Sequence, residues 1–78
     1  MRDIGRLRIC EQIAEFVPYS TDTVYEVYEF ILEQNKKQDR VVTLDKQLQC
    51  VKSVLWTAQT FQVSPLTLVY NLYKINEN

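Results

Sequence analysis

The sequence predicts an all-α protein, folded as one compact domain of four helices arranged as two helical corners. Three observations carry this. The 78 residues hold one glycine and two prolines, too few breakers for a turn-rich sheet. Apolar residues recur three and four positions apart through most of the chain, the spacing of a one-sided helix. Pro18 and Ser64-Pro65 each interrupt that spacing, and it resumes at once behind each.

The first helix is expected over about 5–17, with Leu7, Cys10, Ile13, Ala14 and Val17 on one face and Ile9 and Phe16 beside it. Pro18 stops it, since proline has no amide hydrogen and disfavours helical backbone in the residue before it. Ser20 and Thr23 are both N-cap residues, and Thr23 with Glu26 has the spacing of a capping box. A second helix is therefore expected over about 21–37. Val24, Val27, Tyr28 and Ile31 share one side of it. Asp22, Glu26, Glu29 and Glu33 share the other, with Tyr25, Phe30 and Leu32 on the borders.

The stretch NKKQDR is a polar loop, and Val41 and Val42 are expected to pack it onto the core. Thr43 caps a third helix over about 44–62, where Leu44, Leu48, Val51, Leu55 and Ala58 form the strongest stripe in the chain. Val54 and Phe61 flank it, and Trp56 lies off it. Ser64 and Pro65 open a fourth helix over about 65–75. Leu68, Leu72 and Ile75 lie on one side; Leu66, Val69, Tyr70 and Tyr73 cover most of the rest; Thr67, Asn71 and Lys74 form a polar strip. The expected core is Ile13, Val17, Val24, Val27, Ile31, Leu48, Val51, Leu55, Phe61, Leu68 and Leu72.

Residues 1–78 make one small domain, with 46% hydrophobic residues as in a globular chain. No run is long enough to span a bilayer and the amino terminus lacks the apolar core of a signal peptide, so no membrane role and a cytoplasmic location are expected. Cys10 and Cys50 are far apart, outside any CxxC pair, and suit two reduced thiols, with a single disulfide as the alternative. There is no histidine to act as a base or ligand, no nucleophile elbow and no glycine-rich phosphate loop. A straight line of carboxylates does not enclose a cation. Neither catalysis nor a cofactor or metal is expected.

Charge is segregated. Arg2, Arg6 and Arg8 open the chain; Ile9 to Asn35 holds six carboxylates and no Lys or Arg; Lys36, Lys37 and Arg40 follow.

The stretch IAEFVPYSTDTV resembles the helix-turn-helix superfamily of DNA-binding proteins, over roughly Ile9 to Ile31. Ala14 stands where a small residue lets two helices cross, Tyr19 follows the turn, Ser20 caps, and Thr23-Val24 begins the second helix, continued by Val27 and Tyr28. Ala58, Val63, Ser64, Thr67 and Leu68 repeat part of the pattern, extending to about Leu72. The usual turn glycine is replaced by Pro18 in one corner and Gln62 in the other.

The resemblance implies two helix-turn-helix-like corners and a small DNA-associated regulatory or accessory protein, with a homodimer as its form. Arg2, Arg6, Arg8, Lys36, Lys37, Arg40, Thr67, Asn71 and Lys74 would then touch DNA. The alternative is a non-catalytic module that offers Asp22, Tyr25, Glu26, Glu29 and Glu33 to a basic protein partner, because a carboxylate face repels phosphates. Trp56, Leu66, Tyr70 and Tyr73 are the candidates for self-association.

Overall fold

The computed structural model describes residues 3–75. Four helices follow in order: α1, Ile4–Ala14; α2, Thr21–Lys37; α3, Leu44–Phe61; α4, Pro65–Ile75. No strand occurs among the described residues, and the all-α four-helix architecture expected from the spacing is the one found.

Each of the first three helices begins on a side-chain cap. Asp3 accepts from the Arg6 amide at 3.1 Å, Ser20 from Thr23 at 3.2 Å and Thr43 from Lys46 at 3.3 Å. The cap of α2 is thus Ser20, and Thr23 lies inside the helix with its hydroxyl 3.1 Å from that of Ser20; the expected Thr23–Glu26 box gives way to a serine cap one turn earlier. Asp22 and Asp45 in first turns, and Lys36 and Lys37 in a last turn, match the helix dipoles. In α4 the first helical bond runs from the Leu68 amide to the Ser64 carbonyl at 2.9 Å, and Pro65 supplies no amide that would need a partner.

Helix α1 stops at Ala14, three residues sooner than expected. Its i+4 partner is Pro18, which cannot donate to the Ala14 carbonyl and whose ring would strike it. The chain closes instead with short bonds from Glu15 to Gln12 and from Phe16 to Ile13, leaving Phe16 exposed on the turn. The ends of α2 and α3 share another device. Asp39 and Gln62 both adopt left-handed backbone, with φ 56° and 57°. Around them Arg40 donates to Asn35 and Asp39 to Lys36, and Val63 donates to Ala58 and Gln62 to Gln59, which is the paired bonding of the Schellman motif.

Helix α2 packs against α1, α3 and α4, and α3 also packs against α4. The Cα radius of gyration is 12.0 Å, close to the roughly 11.5 Å that size scaling gives for such a chain. The core contains Ile13, Val24, Val27, Ile31, Val51 and Leu55 as expected, with Val17, Leu48 and Leu68 packed at its margin. Cys10, Tyr25, Tyr28, Val54 and Val69 complete it.

Two expected members are outside. Phe61 is 71% exposed, because it is the last residue of α3 and the left-handed turn carries the chain away from it. Leu72 is 44% exposed, because α4 turns Pro65 and Val69 inward rather than the Leu68–Leu72 side. Val41, expected to pin the loop to the core, is fully exposed; Val42 beside it is half-buried.

Candidate functional site

The acidic side of α2 survives in altered form. Asp22 and Glu26 are exposed, as are Glu11 and Glu15 on α1. Glu29 is half-buried and accepts from Arg6 Nη1 at 3.0 Å; this bond to Glu29 is the main cause that raises the Arg6 pKa, against a smaller lowering by burial. Glu33 meets Lys36 at 3.8 Å, a loose pair between exposed side chains. Tyr25 is not available to a partner. It is 8% exposed, and its hydroxyl accepts the Asp3 backbone N–H at 3.1 Å, because α1 covers that flank of α2.

The basic candidates do not gather in one place. Arg2 lies outside the described residues. Arg6 is held by Glu29, and Arg8 is exposed on α1. Thr67, Asn71 and Lys74 are exposed on α4. Arg6 meets α2 at Glu29, whereas α4 meets it at Phe30, one position on, which places the two contacts roughly 100° apart around the helix. Arg6 and α4 therefore meet different flanks of α2. The end of α2 comes nearer to α4. Lys37 and Arg40 are exposed there, and the Arg40 charge is felt at the Tyr73 hydroxyl.

The aromatic candidates divide too. Phe30 meets Tyr70 edge-on at 4.4 Å between centroids and Tyr73 at 5.8 Å, so these rings fix α4 to α2. Leu66 and Tyr73 are half-buried against the core, and Tyr70 is 52% exposed. Trp56, half-exposed, stands six positions from Cys50, the α3 residue that neighbours Tyr73 of α4. That is roughly 120° around α3, so Trp56 is on a different flank from α4.

One buried hydroxyl, that of Tyr28, and two half-buried groups, the Cys50 thiol and the Tyr73 hydroxyl, sit around this framework. Burial pushes the Cys50 thiol up from its ordinary 9.0, partly offset by the hydrogen bond from Tyr73. Burial pushes Tyr73 up from 10.0, reinforced by Cys50, and pushes Tyr28 up from 10.0, opposed by the Arg6 charge. Cys10 is buried and no disulfide joins it to Cys50. Among the described residues no group of three or more thiols and carboxylates is arranged to hold a metal, and no helix is long and apolar enough to cross a membrane.

One buried polar network is absent from the sequence reading. Asn35 Nδ2 donates to Gln47 Oε1 at 3.1 Å, and Gln47 Nε2 donates to the Tyr28 carbonyl at 3.1 Å, tying α2 to α3. A signal for it existed. Asn35 follows Ile31 by four and Gln47 precedes Val51 by four, so both amides interrupt apolar stripes. Beside them a cleft of about 350 Å³ opens between the end of α2, the following loop and the start of α3.

Comparison with known proteins identifies no relative: no protein-family model, no curated protein and no solved structure matches the chain.

Proposed function

We propose that this chain is a non-catalytic protein-interaction module whose first corner presents an acidic surface to a basic partner. The observation that carries the reading is the state of the Arg6–Glu29 pair. The arginine that a DNA-binding arm would need is tied to the second helix of the corner, while that helix exposes Asp22 and Glu26. A phosphate backbone approaching the same surface would meet carboxylates and would have to displace Glu29. A lysine- or arginine-rich protein segment would meet complementary charge. The exposed Glu11 and Glu15 on the neighbouring helix extend that field.

The test compares two labelled probes by fluorescence anisotropy at low and near-physiological salt: a lysine-rich peptide and random duplex DNA. The proposal expects the peptide to bind, and Glu26→Lys to weaken it by about tenfold. DNA binding at low salt without peptide binding would overturn it.

A second reading has its own support. In the α3–α4 corner Gln62 takes the left-handed backbone that a turn glycine adopts, and α4 exposes Thr67, Asn71 and Lys74 with no acidic side chain from Lys46 to Lys74. A DNA-associated, helix-turn-helix-like protein would use this corner with Lys37 and Arg40, and a dimer would double the contact. In that case DNA binding falls steeply with salt, and Lys37→Ala with Lys74→Ala reduces the slope by about two.

A further inference from the structure

We propose that the cleft between the end of α2 and the start of α3 is a docking site for a short peptide segment of a partner protein, one with an apolar anchor flanked by carboxylates. The site is distinct from the acidic corner and does not depend on it. Its walls are apolar: Leu32 from α2, Val41 and Val42 from the loop, and Leu44 from α3. Val41 is fully exposed and Leu44 is 52% exposed, so both keep apolar surface in water that an anchor side chain would cover.

The charge that lines the cleft has one sign among the described residues. Lys36 and Arg40 line it and no carboxylate does; Asp39 and Asp45, close in sequence, are not part of its wall. Lys36 is engaged only loosely, by Glu33 at 3.8 Å, an exposed pair that an incoming carboxylate can replace at little cost. Positive charge over apolar walls selects an acidic–apolar segment and disfavours a basic one.

The floor is already built. Asn35 donates to Gln47 and Gln47 donates to the Tyr28 carbonyl, and the Asn35 and Lys36 carbonyls accept the Arg40 and Asp39 amides. The turn at Asp39 and Arg40 that leads into the loop is held by its own backbone, so that part needs little ordering on binding. The floor amides are also engaged with one another, so selectivity falls to the apolar walls and the two cations. The cleft is open along the surface. A small molecule would leave much of its area wet, whereas a peptide can seat one side chain and keep its backbone in solvent.

The test titrates the full chain against a fluorescein-labelled short peptide with a Leu-Phe pair between glutamates, and against the same peptide with lysines for glutamates. The glutamate peptide is expected to bind at least about tenfold more tightly. Arg40→Glu and Val41→Asp, both at exposed positions and checked for helical circular dichroism, should each lower its affinity by about tenfold, whereas Lys52→Glu, the same charge change elsewhere on α3, should not. Equal binding of both peptides in the Glu26→Lys background, where the acidic corner no longer draws the lysine peptide, or an unchanged affinity for the glutamate peptide in Arg40→Glu, overturns the proposal. So does binding of decanoate at the cleft with neither peptide bound, which would make it a site for small amphiphiles. Loss of lysine-peptide binding in Glu26→Lys bears only on the acidic corner.

Discussion

At the scale of single residues, the clearest departures from ordinary preference are Asp39 and Gln62. Each holds left-handed backbone without being glycine, at a cost of roughly 1–2 kcal/mol for an L side chain, less for aspartate. Gln62→Gly should remove that cost and regain most of it after the extra freedom of glycine in the unfolded chain is counted. The expected gain is about 0.5–1 kcal/mol, a rise of a few degrees in melting temperature by calorimetry. Asp39→Gly should gain less. An unchanged or lower midpoint in Gln62→Gly would mean the side chain supplies a compensating contact. The buried Asn35–Gln47 bond makes the opposite prediction. Gln47→Ala strands the Asn35 amide at a 7%-exposed site and should cost about 1–3 kcal/mol in urea unfolding. Asn35→Leu combined with Gln47→Leu should cost less than the two singles added together. Neither feature was drawn from the sequence, for different reasons. A left-handed turn depends on where the helix stops. The amide pair could be placed on apolar stripes, but not matched across two helices.

At the scale of elements, caps and breakers did most of the specifying. Ser20, Thr43 and Ser64-Pro65 put the starts of α2, α3 and α4 where expected, because a cap acts within its own turn. The end of α1 was less legible, because Pro18 acts on the residue four positions before it as well as on its immediate neighbour. The rotation of α4 was not legible at all. That helix is apolar over most of its circumference, so the pattern offered several faces; the edge-on contacts of Phe30 with Tyr70 and Tyr73 accompany the one adopted. Phe30→Ala should therefore loosen α4 selectively. Because Phe30 is half-buried, the expected loss is about 2–3 kcal/mol. Hydrogen exchange should rise more in α4 than in α1; equal acceleration in both would show that Phe30 serves the whole core instead.

At the scale of the molecule, charge and titration respond to how the helices assemble. Cys50, Tyr28 and Tyr73 all hold their protons more firmly folded than unfolded, because burial penalises the charged form. Below about pH 8.5 both states keep these protons and the stability is unaffected. Above it the unfolded chain loses protons that the folded chain retains, so stability falls as pH rises, first through Cys50 and then, above about pH 10, through the tyrosines. Urea midpoints measured between neutral pH and about 10.5 should decline, and Cys50→Ala should flatten the first part of the decline. A midpoint independent of pH over that range would show that these groups are solvated in the native state.

The sequence by itself determined the helix count, three of the four starting points and most of the buried stripe, because periodicity and caps are local and each is written within one or two turns. It also placed the charges in blocks. Only the tertiary structure decided what those blocks face. It bound Arg6 to Glu29, buried Tyr25 beneath α1, set Arg6 and α4 against different flanks of α2, and left Lys36 and Arg40 beside an apolar cleft. These are relations between helices, and they follow from the angles at which α1, α3 and α4 pack around α2. No spacing within a single helix contains that information.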